Sequence, residues 1–339
     1  MEEKKFDLNS IIGFALIFGI LMWIMYQNQP TEHELAAEKA KKEQVDVKAK
    51  TETPVAAPAL AIADSTATDS IQLSKLKGTL GTFAYSATLP SAKNDFTTIE
   101  NDLLSLKIAN KGGYIVDATV KNFEQFEKGS GSLVKIIKDN NASFNLKLQT
   151  ADNRTLDTKN MYFEPTLTKE GENQVLTMRL KSAVNAFMEY RYVLKPNEYM
   201  LDFSIRSQGM NGVLNASKPI DLEWDLKTYR NEKSVSYENR YAEIVYEYED
   251  GKDSYTSQSS LTTDDAKDVT YVAYKQHFFS SILLTDTPFA TSKMTSENLV
   301  KDEIIDTTFT KNFKSVIPLA FKGGEINYNM NWYYGPTDY

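Results

Sequence analysis

Apolar side chains recur at every second position over most of this chain, and that period constrains its fold more than any other feature. Leu104, Leu106 and Ile108 alternate with Ser105, Lys107 and Ala109, then Lys111-Gly112-Gly113 turns the chain into Tyr114 to Val120. A period of two puts alternate residues on opposite faces of a strand, and the glycine pair reads as a hairpin turn. Phe144, Leu146 and Leu148 repeat the pattern around Asn145, Lys147 and Gln149. Tyr190, Tyr192 and Leu194 lead into Lys195-Pro196-Asn197-Glu198, and Leu201, Phe203 and Ile205 return. Further turns are expected at Asp250-Gly251 and Lys322-Gly323-Gly324. Ile326, Tyr328, Met330, Trp332 and Tyr334 then alternate with Glu325, Asn327, Asn329, Asn331 and Tyr333, a strand with one dry and one wet face. Hairpin-joined strands without a βαβ rhythm predict a mainly β domain over residues 76–339, a large antiparallel sandwich of two packed sheets. No fixed repeat marks a propeller or solenoid.

Ahead of that domain, Ile11 to Tyr26 (IIGFALIFGILMWIMY) is the one stretch that water would reject, with no charge between Asp7 and Glu32. Its sixteen residues give about 24 Å of helix, and uncharged flanks extend it toward the ~30 Å of a hydrocarbon core. Nine of them are Ile, Leu or Phe, which favours insertion by roughly 3 to 5 kcal/mol. Trp23 and Tyr26 stand where an aromatic belt belongs. A cleaved signal is the rival reading, but Tyr26-Gln27-Asn28-Gln29-Pro30 offers no small-x-small site, and no cysteine is present for lipid attachment. A buried core helix would need a cover that the Glu- and Lys-rich flank does not provide. Residues 1–30 therefore read as an uncleaved transmembrane anchor. Lys4 and Lys5 before it balance Lys39, Lys41 and Lys42 after it, so charge does not orient it. Size does, because the short head cannot be a domain and the bulk must lie on one side.

Residues 31–75 read as a flexible linker. Thr31 to Lys50 carries five acids and five lysines with hardly an apolar stripe, and Thr51 to Ser70 is rich in Ala, Thr, Ser, Asp and Pro. As a coil it would span roughly 35 to 40 Å. His33 lies in it without a second ligand at metal spacing.

The 339 residues, 41% hydrophobic and 25% charged, supply one large domain beyond anchor and linker. A net charge of −8 with no basic stripe speaks against nucleic acid as a partner. The absence of cysteine removes disulfides, iron–sulfur clusters, thiolate zinc sites and cysteine nucleophiles, and is compatible with a bacterial periplasm.

Candidate chemistry is sparse. Gly129-Ser130-Gly131 lacks the third glycine, the Lys-Ser/Thr and the helix of a phosphate loop, and reads as a surface turn. Asp221, Glu223 and Asp225 project from one face of a strand whose other face carries Leu222, Trp224 and Leu226. Three convergent carboxylates could hold a cation or a sugar hydroxyl, but a solvated sheet face accounts for them as well. His277 is the domain's single histidine, and Ser280 and Ser281 follow too closely to indicate a Ser/His/Asp site. The tyrosines between Tyr229 and Tyr255 suit either a peptide- or glycan-binding surface or plain strand propensity.

Three segments together resemble the amino-terminal half of a YidC-type membrane protein insertase. Asn101-Asp102-Leu103-Leu104-Ser105-Leu106-Lys107-Ile108-Ala109-Asn110-Lys111-Gly112-Gly113 is similar to the family's opening strand and double-glycine turn. Val272-Ala273-Tyr274-Lys275-Gln276-His277-Phe278-Phe279-Ser280-Ser281 is similar to its Lys-Gln-aromatic strand, and Tyr333-Tyr334-Gly335-Pro336 to the signal that closes its periplasmic domain. The resemblance implies one helix with a cytoplasmic amino terminus in the inner membrane and a periplasmic β-supersandwich of galactose-mutarotase-like type. It implies a chaperone role in inserting and folding inner-membrane proteins, with the lipid bilayer, nascent membrane proteins and Sec translocon components as partners. In the family, insertion belongs to five later transmembrane helices, and this sequence stops at Tyr339 before any of them. No catalytic, cofactor-binding or metal residue is therefore expected here, and no cofactor. A membrane-anchored docking module and, less fittingly, a sugar-active enzyme stay open as alternatives.

Overall fold

The computed structural model describes residues 66–126 and 129–337, so the expected anchor Ile11–Tyr26 and most of the expected linker lie outside the described residues. Among the described residues no helix is long and apolar enough to cross a membrane. The first element is helix α1 (Thr66–Leu80), which overlaps the last ten residues read as linker. Leu73, Leu76 and Leu80 recur at near-helical spacing along it and are half-buried, while Ile71, Ser74, Lys75 and Lys77 stay exposed. A single short turn of helix, α2 (Ala84–Ala87), follows and sets Ala84 and Ser86 into the interior.

A four-stranded sheet comes next: β1 (Phe96–Glu100), β2 (Leu104–Ala109), β3 (Ile115–Glu124) and β4 (Leu133–Ile137), in that order across the sheet. The second sheet has thirteen strands. Its first members are β5 (Ala142–Gln149), β6 (Thr155–Asp157), β7 (Glu164–Glu170), β8 (Asn173–Ala183), β9 (Ala186–Leu194) and β10 (Met200–Gln208). Strand β11 (Ile220–Tyr229), helix α3 (Val235–Tyr241), β12 (Glu243–Tyr248), β13 (Lys252–Tyr255) and β14 (Leu261–Lys275) follow. The last are β15 (Phe279–Asn298), β16 (Phe309–Leu319) and β17 (Asn327–Pro336). The main path runs β6-β5-β11-β16-β15-β17-β10-β9-β8-β7, with β14, β12 and β13 branching from β15. Every pairing between these strands is antiparallel. The structure is thus the mainly β, antiparallel sandwich that the alternation predicts.

Two crossings position everything else. Strand β17, last in sequence, lies between β10 and β15 in the middle of the large sheet. Strand β15 changes partner along its length, pairing Phe279–Thr285 with β17 and Lys293–Asn298 with β16. This fold-back brings Tyr274 of β14 over β11, where its ring stacks on Trp224 at 3.7 Å and its hydroxyl donates to the Trp224 carbonyl at 2.8 Å. Phe144, Phe203 and Trp224 each meet Trp332 at 5.3 to 5.4 Å, so strands from both ends of the sequence share one aromatic core. Each such pair is worth about 1 kcal/mol beyond its buried area.

The three segments that carry the family resemblance do structural work. Asn101 donates to the carbonyls of Lys195 and Glu198 (both 2.8 Å) and accepts from the amides of Leu103 and Leu104, which ties the small sheet to the β9–β10 turn. Gly113 has φ +69°, and a Cβ there would lie 2.8 Å from the Phe163 ring. Its carbonyl accepts the buried Tyr192 hydroxyl at 2.9 Å. Gly335 lies so close under Tyr199 that a Cβ would meet that ring at 2.8 Å.

Candidate functional site

The Gln276-His277-Phe278 turn between β14 and β15 packs against a buried carboxyl group on helix α3. Helix α3 begins at Ser234, whose hydroxyl accepts the Tyr237 amide at 3.2 Å, and this cap aims Glu238 inward. The buried Glu238 carboxylate accepts the Asn231 and Glu232 amides at 3.1 Å and the Gln276 side-chain amide at 3.2 Å. Burial nonetheless pushes its pKa up to about 7, assisted by the charge on Glu232 and opposed by those hydrogen bonds. His277 places Nδ1 2.9 Å from a Glu232 carboxylate oxygen and stacks on Tyr241 at 4.6 Å. Glu232 lies 45 residues from His277 in sequence, so nothing local announces the pair. Ser280 is hydrogen-bonded to Thr337 at 2.6 Å, and Ser281 accepts from Trp332 at 3.4 Å, so both serines serve the strand pairing.

The carboxylates of β11 stand on one face as expected, and Glu223 and Asp225 each face a lysine, while among the described residues no ion pair holds Asp221. Glu223 meets Lys147 Nζ at 2.8 Å and accepts from Asn145 at 3.0 Å. Burial raises its pKa, but the bonds to Lys147 and Asn145, with the charge of Lys314, outweigh this and hold it below the ordinary value. Asp225 is raised by burial, with Lys314 only 3.9 Å away as a partial counterweight. Among the described residues no group of three or more acidic or histidine side chains could hold a metal ion. Gly129 and Gly131 both have positive φ, and the Gly129 amide donates to the Glu124 carboxylate at 2.8 Å, the chemistry of a surface turn. The tyrosines between Tyr229 and Tyr255 do not share one surface: Tyr246 is in the core, while Tyr237 and Tyr241 flank His277.

A feature that alternation hid is a polar trough across the wet face of five strands. One row of facing residues runs Thr166, Thr177, Arg191, Ser204, Asn329 from β7 to β17. A parallel row runs Glu164, Arg179, Glu189, Arg206, Asn327. Buried Glu189 accepts from Arg179 and Arg206, both at 2.6 Å. Burial opposes its ionisation, but the two guanidiniums outweigh it and lower its pKa. Arg191 Nη2 donates to both Glu170 carboxylate oxygens at 2.9 Å. Cavities of about 710, 560 and 220 Å³ open along these rows and share Arg191, Ser204, Arg206, Asp286 and Asn329 among their linings. With its arginines matched by carboxylates, the trough offers amide, hydroxyl and carboxylate hydrogen bonds and little net charge.

Among the described residues, a two-layer antiparallel β domain carries a polar trough on the wet face of its larger sheet. The family model for the YidC periplasmic domain matches residues 97–339, and the chain belongs to that family. It is 27% identical to the membrane protein insertase YidC of Parabacteroides distasonis, over 98% of this chain and 52% of that protein. It is 30% identical to the YidC insertase of Bacteroides fragilis, over 98% and 51%. The chain spans about half the length of the curated relatives it matches. Among solved structures it is similar to a galactose mutarotase-like protein from Lactobacillus casei, at 12% identity, 72% of this chain, all of that one, and a TM-score of 0.41. A likeness at that level carries nothing about activity.

Proposed function

We propose that this chain is the anchor and periplasmic domain of a YidC-type insertase, which aids the insertion and folding of integral inner-membrane proteins alone or beside the Sec translocon. What carries the reading is the family match over residues 97–339, together with relatives named membrane protein insertases that align across the whole chain. In this reading residues 1–30 hold the chain in the inner membrane with a cytoplasmic amino terminus, residues 31–75 tether it, and the rest is periplasmic. The domain performs no turnover and uses no cofactor or metal. It contributes by docking, and the trough across β7 to β17 favours that role because it exposes hydrogen-bonding groups that the fold itself leaves over. Photo-crosslinking tests this. A photoreactive side chain at Asn329, in cells synthesising inner-membrane proteins, should capture nascent membrane proteins or Sec components, whereas one at Gly129 should not. Equal capture at both positions, or none at Asn329, would sink the docking role.

A further inference from the structure

We infer that the end of the sandwich bearing Phe278, Tyr237 and the Ile304–Ile305 tip seats on the lipid surface of the bilayer, an inference that rests on the membrane location just proposed. Six of the twelve exposed large apolar side chains among the described residues gather at this end: Phe123, Phe126, Tyr237, Phe278, Ile304 and Ile305. The last two are 88% and 75% exposed, against 50% for Phe278 and 45% for Tyr237. Contacts between their carriers make the end one surface. Phe278 lies 3.9 Å from His277, which lies 5.2 Å from Tyr237, and Phe123 packs edge-on to Phe279 at 5.4 Å. Arg230 spans the rest, with its guanidinium 4.5 Å over Phe126 and donating to the Thr307 carbonyl of the β15–β16 connection.

That connection is built to display its isoleucines. Asp306 accepts the amides of Lys301 and Asp302 at 2.8 and 2.9 Å, and Asp302 accepts the Ile304 amide at 2.9 Å. Asp302 and Asp306 are turned onto the backbone, and Ile304 and Ile305 are left at the tip beside the exposed Glu303. An apolar pair held out by its own turn is not an unfolded accident, because the chain could hide it by relaxing that turn. The shape of the end selects the occupant. The apolar groups sit on separate projections, at the end of β3 (Phe123) and the connection after it (Phe126), on α3, the β14–β15 turn and the β15–β16 connection, and none of them lines the three cavities. A protein partner is usually received by a concave pocket, whereas separate aromatic and aliphatic tips suit the acyl–headgroup boundary. Exposed Lys233, Arg240 and Lys301 stand among the tips, where they can reach lipid phosphates while the rings and isoleucines go deeper. Pro336 and Thr337 leave β17 at this same end, with the Thr337 amide donating to the Phe278 carbonyl at 2.8 Å.

The sequence has no cysteine, so single labels can be placed cleanly. The whole chain would be reconstituted in phosphatidylethanolamine–phosphatidylglycerol vesicles as Ile304→Cys, Phe278→Cys and, on the far edge strand β7, Thr168→Cys, each carrying an environment-sensitive dye. Circular dichroism would establish that each variant is folded. The dye at 304 and at 278 should emit at shorter wavelength than at 168 and be quenched by more than half when lipids spin-labelled near the headgroup are included. Vesicle flotation with water-like emission at 304 and 278 would overturn the inference and leave the anchored insertase reading standing. Shielded but unquenched labels would overturn it in favour of a protein partner or second copy. Failure to float would remove the membrane reading and this inference together.

Discussion

Glu238→Gln should remove most of the stability change that this domain undergoes between pH 5 and pH 8. Glu238 is buried, with a folded-state pKa of about 7 against an ordinary value of 4.5. A carboxyl group whose folded pKa is raised binds its proton more tightly in the folded state, so it stabilises the fold below its unfolded pKa. That contribution is complete below about pH 4.5 and is lost as pH rises through about 7. At about 1.4 kcal/mol per unit, the gap is worth about 3 kcal/mol in full and about 2.5 kcal/mol between pH 5 and pH 8. The charged and titratable groups around Glu238 are Glu232, which disfavours its ionisation, His277 with Nδ1 against the Glu232 carboxylate, and Arg230, whose Nε donates to the Glu232 carbonyl at 2.7 Å. Glutamine keeps the shape and an acceptor oxygen but cannot titrate. Urea unfolding in detergent, read by tryptophan fluorescence at pH 5 and 8, should therefore show the stability of the two proteins converging or crossing as pH rises. If the difference between them is the same at both pH values, Glu238 does not titrate in this window and the reasoning fails.

Four further substitutions test the packing. Glu189→Ala strands Arg179 and Arg206 beside the trough; because both guanidiniums can reach water, the loss should be about 2 kcal/mol rather than the larger cost of a fully buried broken pair, measurable as a lower urea midpoint. Asp225→Asn and Glu223→Gln should differ: the first relieves a burial-raised carboxylate and leaves the midpoint unchanged or higher, while the second loses the Lys147 bond and about 0.5 to 1 kcal/mol. On the function proposed above, insertion of membrane proteins in cells should survive either. Gly113→Ala adds a Cβ against Phe163 at positive φ and should cost about 3 kcal/mol, seen as a drop in Tm; an unchanged Tm would mean the turn relaxes freely.

The strands were legible in the sequence because each depends on local alternation. The buried faces of β2, β10 and β17 are the ones that Leu104–Ile108, Leu201–Ile205 and Tyr328–Tyr334 announce. The strand order was not legible, since nothing near Asn327–Pro336 says that this segment inserts between two others. Asn145 sits at a position that alternation assigns to the wet face, yet it is buried, held by donating to Asp157 and Glu223 from different strands. Helix α1 was hidden by linker-like composition, because its half-buried Leu73, Leu76 and Leu80 form too narrow a stripe to stand out among Ser, Thr and Lys. Nothing in the local residue pattern marks Glu189 and Glu238 as buried. Their burial depends on arginines and amides contributed by other elements, and residue spacing along one strand cannot show those.

The placement of β17 also bears on the order of events during synthesis. The chain leaves the ribosome amino terminus first, and strands β5 to β16 are available long before residues 327–336 exist. Until those residues arrive, β10 and the first half of β15 have no partner on their facing edges, and Phe144, Phe203 and Trp224 lack the indole of Trp332 against which they pack. The core is therefore completed only by the last strand made, and the segment that completes it is also the one that brings the chain back to the aromatic end at Phe278.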